Sequence, residues 1–208
     1  MPLIAVVGEA PSDTAAVIGL LVPLFNSDYQ FITLLDTITG SKLDEQKTKH
    51  LIRKEFDFEK PDIVIFCRDL DGLANERDKK LKMQTYFLDM NRIVRKKGVY
   101  LLSVFELETL ILADIEKFNS EYECNVVINF NPEEKEKSKD FLKDSTHGKQ
   151  KQFVEGHNSY LIPKLDRYKI INCSFYEAFI RELDIMLAKR RLPANILDQH
   201  NNVENIQE

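Results

Sequence analysis

The chain has 208 residues, enough for one domain to bury a substantial core without disulfide bonds. Hydrophobic residues make up 43% and charged residues 30%, which is a globular composition, and the net charge of −5 argues against a general nucleic-acid coat. The apolar runs are too short to cross a bilayer, no secretory leader is visible, and the three cysteines form no CxxC pair. We expect a soluble, cytoplasmic protein without a structural zinc site.

Short apolar runs alternate with helical patterns through the first part of the chain. The runs 3–7, 29–35, 63–66 and 99–104 are predicted to be strands. Amphipathic helices are predicted between them, and one further helix follows the last run. Short apolar strands that alternate with helices favour an α/β fold, with a mostly parallel, Rossmann-like sheet covered by helices on both faces.

The apolar pattern weakens in the second part of the chain. A long helix is predicted over 172–189, opened by a capping box that Ser174 and Glu177 form. The end of the chain is polar and rich in Asn and Gln, which is typical of a frayed terminus. We therefore predict three parts: a core over 1–118, a helical C-terminal extension packed on it over 119–192, and a flexible tail over 193–208.

Acidic side chains follow three of the predicted strands. Glu9 comes after the first run, Asp69 and Asp71 after the third, and Glu106 and Glu108 after the fourth. Because the carboxyl ends of parallel strands meet at one edge of a sheet, we expect these carboxylates to lie close together. Like charges so placed disfavour one another, and Mg²⁺ or Mn²⁺ would balance them through oxygen ligands. The pattern predicts a divalent-metal site.

The two acidic pairs differ in their expected local geometry. In an extended chain, Asp69 and Asp71 project to the same side. Two residues two apart on a helix do not, so Glu106 and Glu108 contribute together only if the first lies at the strand end and the second in the first helical turn. Glu108 is the preferred ligand of the two. Each acid alone is also typical of a turn or a helix cap, and the prediction depends on their combination.

The acidic motifs together resemble the Toprim domain, the metal-binding catalytic domain of topoisomerases, primases and overcoming-lysogenization-defect (OLD) nucleases. The resemblance rests on residues 8–13, 69–71 and 106–108. The stretch 105–114 is similar to a small stand-alone Toprim-like family that is frequently encoded beside an ATPase in bacterial defence loci. One departure is clear: the glycine that usually follows the first Glu is replaced by Ala10.

The resemblance implies a divalent-metal-dependent nuclease that acts on DNA or RNA. In the resembled nucleases, the first Glu and the Asp-x-Asp pair hold one ion, a later Glu helps to hold a second, and a late Lys stabilises the transition state. Two such ions would stabilise the attacking and leaving oxygens of phosphodiester cleavage. Carried over to this chain, the metal ligands are Glu9, Asp69, Asp71, Glu106 and Glu108, and the candidate lysine is Lys149.

The predicted helix after Asp71 is locally basic on an otherwise acidic protein. Its first residues are a candidate track for the phosphates of DNA or of a tRNA-like RNA: Arg77, Lys79, Lys80 and Lys82. A solvated helix face gives the same pattern. The family context implies a partner ATPase and a role in anti-phage defence. A second interpretation stays open, in which the chain is a non-catalytic adaptor subunit with a Toprim-like fold.

Overall fold

A computed structural model describes residues 1–25, 28–35, 42–190 and 192 of the chain. The tail predicted over 193–208 lies outside the described residues. Four strands form one sheet in the order β2-β1-β3-β4, and all the neighbouring strands are parallel. The strands are β1 (Leu3–Val7), β2 (Gln30–Thr33), β3 (Ile63–Asp69) and β4 (Gly98–Ser103).

Helices connect the strands and follow the last of them. Three α-helices connect the strands, at residues 11–21, 46–59 and 77–93. Six further α-helices follow β4 in the described part of the chain. No helix among the described residues is both long enough and apolar enough to cross a membrane. The helices are α1 (Pro11–Leu21), α2 (Gln46–Glu59), α3 (Arg77–Ile93), α4 (Thr109–Ala113), α5 (Ile115–Tyr122), α6 (Ser138–Ser145), α7 (Asn158–Leu161), α8 (Arg167–Ile170) and α9 (Ser174–Lys189).

The sheet separates two hydrophobic clusters, and each strand contributes alternate residues to both. In β3, Ile63, Ile65 and Cys67 belong to the cluster that contains α1 and the C-terminal helices. Val64 and Phe66 belong to the cluster that contains α2 and α3. This period of two is the side-chain geometry of a strand. The predicted α/β fold, a parallel sheet with helices on both faces and a helical C-terminal part, is confirmed.

The residues after position 118 share a core with the residues before it. Leu142, Leu161 and Phe179 are buried in the same cluster as α1. The contact is close at Gly19 of α1, where an added Cβ would lie 2.5 Å from the Cγ atom of Pro163. Only a glycine lets the helix and the proline ring approach in this way.

Two local predictions for the C-terminal half are wrong. The single helix predicted after β4 is interrupted at Asp114, whose buried carboxylate accepts a hydrogen bond from the backbone N–H of Asp166 at 2.8 Å. The capping box at Ser174 does not form, because Cys173 is the N-cap residue of α9. The Ser174 hydroxyl donates to Glu133 at 2.8 Å instead. In both cases a contact between distant segments replaces the local one.

Candidate functional site

The carboxyl end of β1 joins α1 through a tight connection. A Cβ on Gly8 would lie 2.7 Å from the Oγ1 atom of Thr14, so a glycine is needed for the first turn of α1 to approach the strand. Pro11 occupies the start of α1, where its missing N–H costs nothing. This connection places Glu9 at the strand end and Asp13 in the first helical turn, where the helix dipole favours negative charge.

The carboxyl end of β3 presents neighbouring residues to opposite faces of the sheet. Asp69 continues the face of Cys67, toward α1 and the C-terminal extension, whereas Arg68 continues the face of Phe66, toward α2 and α3. Asp69 is paired in register with Ser103, the last residue of β4. Ser103 is fully buried, and its Oγ atom has no hydrogen-bond partner among the described residues.

Arg68 neutralises Glu9 with a cation of the protein itself. Its guanidinium is paired with Glu9 and, at 3.1 Å, with Asp44, and it lies 4.6 Å above the ring centre of Tyr86. Burial opposes the charge of Arg68, yet the charge of Glu9 and the bond to Asp44 raise its pKa. Glu9 also accepts a hydrogen bond from the backbone N–H of Asp69 at 3.4 Å. Glu9 thus joins the ends of β1 and β3.

Three carboxylates at this edge of the sheet are held where ionisation is disfavoured. Burial raises the pKa of Asp13 to about 6, and the charges of Glu108, Glu155 and Glu9 add to the effect. Burial and the charges of Glu9, Asp13 and Glu108 raise the pKa of Asp69 well above its usual range. Burial also raises the pKa of Glu108. When ionised, the carboxylate cluster, defined as Asp13, Asp69 and Glu108, therefore has negative charge that its surroundings compensate poorly.

The C-terminal extension supplies the polar residues that face the carboxylate cluster. Lys139 of α6 places its Nζ atom 3.1 Å from Glu155 and 3.8 Å from Glu108. The backbone N–H of Lys139 donates to Glu106 at 2.8 Å, so Glu106 caps the first turn of α6. Asn158, the first residue of α7, donates from Nδ2 to Glu108 at 3.0 Å. No local pattern in the sequence pointed to Lys139 or Asn158.

Asp71 and Glu106 line a neighbouring cleft rather than the carboxylate cluster. Strand β3 ends at Asp69, and Asp71 has a φ of 53°, so the extended Asp-x-Asp geometry predicted from the sequence is wrong. The exposed Asp71 side chain lines a cleft of about 260 Å³ with Glu106, Lys79 and Lys137. Of the five predicted ligands, Glu9 and Glu108 lie close enough to Asp69 for their charges to raise its pKa.

Lys149 lines a surface cleft that contains none of the carboxylates of the cluster. That cleft, of about 300 Å³, is formed with Tyr122, Glu123 and Lys151. The lysine whose charge acts on Asp13, Asp69 and Glu108 is Lys139, ten positions earlier in the chain. The catalytic role expected of Lys149 stays a prediction.

The predicted basic track is exposed at the start of α3, and its residues are Arg77, Lys79, Lys80 and Lys82. Lys79 is paired with Glu76 at 3.0 Å. Lys80 lines an apolar cavity of about 290 Å³ with Phe175 and Phe179 of α9. Because α3 follows the carboxyl end of β3, this track lies at the same edge of the sheet as the carboxylate cluster.

The donor chemistry of the carboxylate cluster suits a hard divalent cation. Asp13, Asp69 and Glu108 offer only oxygen atoms, and their poorly compensated charge is what Mg²⁺ or Mn²⁺ offsets. Within the described ranges, no three side chains of His, Cys, Asp or Glu are grouped so that they could hold a metal ion. A Mg²⁺ site commonly uses only one or two carboxylates, with water and substrate phosphate as the other ligands. The residues present fit such a site.

No family model matches the chain, and neither a curated protein nor a solved structure matches it. The resemblance to the Toprim domain therefore stays a prediction from the acidic motifs. Evidence on function comes from the geometry and the charge of the carboxylate cluster.

Proposed function

We propose that this protein is a divalent-metal-dependent nuclease that hydrolyses the phosphodiester bonds of DNA or RNA. The observation that carries this proposal is the carboxylate cluster at the carboxyl edge of the parallel sheet, the edge at which open α/β sheets bind ligands. Burial raises the pKa values of Asp13, Asp69 and Glu108, and repulsion from neighbouring acids adds to the effect. Perturbed carboxyl groups of this kind are concentrated at functional sites.

Each part of the site has a role in this chemistry. Two carboxylates of the cluster, Asp69 and Glu108, would hold Mg²⁺ or Mn²⁺ with water and substrate phosphate as the other ligands, and Asp71 with Glu106 would face a second ion in the neighbouring cleft. Such ions, when bound, activate a water nucleophile and offset charge on the leaving oxygen. The pair that Arg68 forms with Glu9 fixes the strand end from which Asp69 projects. The basic residues at the start of α3 would bind the phosphates of the substrate.

The acidic motifs also suggest a biological setting. We propose that the protein acts in the cytoplasm as the effector of an anti-phage defence system, and that a partner ATPase restrains it. The sequence contains no Walker loop, so energy from ATP would come from another chain. The helical extension offers a docking surface for that partner. DNA and a structured RNA such as tRNA are both compatible with the site.

The decisive variant is Asp69→Asn, which keeps the shape of the side chain and removes its charge. The protein, alone and with a candidate ATPase, is incubated with plasmid DNA and total tRNA in Mg²⁺, in Mn²⁺ and in EDTA. We expect cleavage that needs a divalent ion and that falls at least about 100-fold in Asp69→Asn. The matched control is Glu59→Gln, an exposed acid at the end of α2, which should cleave like the wild type.

Two results would contradict the nuclease proposal. The first is an absence of cleavage in every condition, with a protein whose circular dichroism spectrum shows that it is folded. The second is an Asp69→Asn variant that cleaves at the wild-type rate. Either result would leave the carboxylate cluster without a catalytic role.

A second candidate function is a non-catalytic adaptor subunit. The observation in its favour is that the protein's own cations already contact some of the acids: Arg68 is paired with Glu9, and Lys139 lies near Glu108. An adaptor would bind the ATPase with an affinity that Asp69→Asn does not change, and it would show no cleavage with any nucleic acid. Pull-down and cleavage assays on the same preparations separate the two functions.

A further inference from the structure

Two buried oxygen atoms beside the carboxylate cluster lack hydrogen-bond partners among the described residues. They are the Oδ1 atom of Asn158 and the Oγ atom of Ser103. Both residues have an exposed fraction of 0%. Buried polar side chains in proteins nearly always have a partner, so an unpaired atom in such a place needs an explanation. A ligand at the carboxylate cluster would provide it.

The orientation of the Asn158 amide follows from its contact with Glu108. The Nδ2 atom donates to the Oε1 atom of Glu108 at 3.0 Å. The amide nitrogen is therefore directed to Glu108, and the Oδ1 atom on the same group is left unpaired beside it. Helix α7 also holds Leu161 in the core, which fixes the position of the amide.

The position of Ser103 follows from the register of the sheet. Ser103 in β4 is paired with Asp69 in β3, and residues paired in register on parallel strands project to the same face. That face carries Leu101 and Cys67, which lie in the cluster with α1 and the extension. The Ser103 hydroxyl therefore lies on the Asp69 side of the sheet, at the edge where the carboxylates meet.

We propose that Asn158 Oδ1 and Ser103 Oγ are neutral oxygen ligands of a divalent cation held by the carboxylate cluster. The C-terminal extension then builds part of the site, and the sheet edge alone is incomplete. The inference rests on the cation of the proposed function. Amide and hydroxyl oxygens suit a hard cation, and they add no negative charge to a cluster that already has too much. An ordered water is the competing explanation, because it would satisfy the same two atoms.

The first test compares Asn158→Asp with the wild type in thermal unfolding, with EDTA and with saturating Mn²⁺. In EDTA the new carboxylate faces Glu108, and the melting temperature should fall. In Mn²⁺ the difference should close, because the ion gains a charged ligand. The control is Asn172→Asp, which changes an exposed amide that also donates to an oxygen atom. The difference in melting temperature between this variant and the wild type should be the same in both buffers. If Asn158→Asp is destabilised equally in both buffers, Asn158 is only structural and the inference is overturned.

The second test measures Mn²⁺ affinity directly by calorimetry. The variant Asn158→Ala should bind Mn²⁺ at least about tenfold more weakly than the wild type. A wild-type affinity in a folded Asn158→Ala variant would overturn the role of the amide.

The third test exchanges the hydroxyl for a soft ligand. In Ser103→Cys, the thiolate should raise the preference for Cd²⁺ over Mn²⁺ by at least about tenfold, as measured by competitive titration. The control Ser120→Cys places a thiol on the exposed surface of α5. If both cysteine variants show the same preference, Ser103 is no ligand.

These tests separate the inference from the nuclease proposal. A wild-type protein that binds Mn²⁺ through Asn158 and Ser103 but cleaves no nucleic acid supports the inference and overturns the nuclease. If the protein cleaves with Mn²⁺, and substitution of Asn158 or Ser103 does not change its Mn²⁺ binding, the nuclease proposal is supported and the inference is overturned.

Discussion

At the scale of single residues, Arg68 decides how the acids at the sheet edge are arranged. Its side chain is only 7% exposed, and it is the cation that Glu9 and Asp44 share. A buried guanidinium without partners would be strongly destabilising. Arg68 therefore holds Glu9 on the β1 side and leaves Asp69 to face the carboxylate cluster.

The variant Arg68→Met tests this arrangement. We expect a loss of about 2 to 3 kcal/mol in the free energy of unfolding, below the ~3–5 kcal/mol typical of a fully buried pair. The reason for the smaller value is that Glu9 and Asp44 reach solvent, with side chains 25% and 43% exposed. Denaturant titration with an unchanged m-value measures the loss.

The matched control for Arg68 is Arg181→Met. Arg181 forms an exposed pair with Glu177 one turn away on α9, and such pairs contribute less than about 0.5 kcal/mol. If Arg68→Met costs no more than Arg181→Met, the buried pair does not organise the end of the sheet.

At the scale of the elements, the contact between α1 and the extension depends on Gly19. An alanine there would favour the helix by about 1 kcal/mol, but its Cβ would lie 2.5 Å from the ring of Pro163. Overpacking of this kind costs about 1–3 kcal/mol, so Gly19→Ala should be destabilising overall in urea titrations. The control is Gly156→Ala, where an added Cβ meets nothing within 4 Å. Equal stability of the two variants would show that the extension is not tightly packed on α1.

The two ends of α3 differ in their expected contribution to nucleic-acid binding. The helix has 17 residues, which gives it a length of about 25 Å. Its first turns lie at the carboxyl edge of the sheet, and its last turn lies at the opposite edge. We expect Lys82→Glu to weaken binding to an oligonucleotide and to lower the slope of log affinity against log salt by roughly 1.

Arg92→Glu is the matched charge reversal on the last turn of α3. Arg92 is 79% exposed, and its reversal should leave the salt slope unchanged. Fluorescence anisotropy in an Asp69→Asn background measures binding without cleavage. Equal effects of the two reversals would place the phosphate track elsewhere.

At the scale of the whole molecule, periodicity was sufficient to predict the sheet. Buried parallel strands are continuous apolar runs such as 63–66, and the intervening helices carry clear apolar stripes. The edge of the sheet at which Asp69 and Glu108 lie then follows from the topology, and the charge of Glu108 acts on Asp69 there.

The contribution of the extension to the site was not predictable in this way. Lys139 lies in a charged segment without clear periodicity, and Asn158 reaches Glu108 across 50 positions of the chain. The extended geometry predicted for Asp71 was wrong for a different reason. Its positive φ depends on the turn that follows β3, and the strand pattern carries no information about it.

The carboxylate cluster should also control how the stability of the whole molecule varies with pH. Asp13 has a pKa of about 6 in the folded chain against an ordinary value of 3.8, mainly through burial. The folded state therefore binds this proton more tightly than the unfolded state, so the free energy of unfolding falls as pH rises through about 6. The raised pKa values of Asp69 and Glu108 act in the same direction. By contrast, hydrogen bonding to Tyr160 lowers the pKa of Glu121 from 4.5 to about 2. The stability that ionised Glu121 contributes is therefore lost only as the pH falls below its ordinary pKa.

The difference between the wild type and Asp13→Asn isolates this effect from the other titrating groups. In EDTA, moving from pH 7.5 to pH 5 should stabilise the wild type by about 1 kcal/mol more than the variant. Saturating Mn²⁺ should remove most of the difference, because the ion takes the place of the protons and binds best when the carboxylates are ionised. Denaturant titrations at the two pH values, with and without Mn²⁺, measure all four quantities. An Asp13→Asn variant that keeps the wild-type pH dependence would show that Asp13 is not part of a buried, poorly compensated cluster.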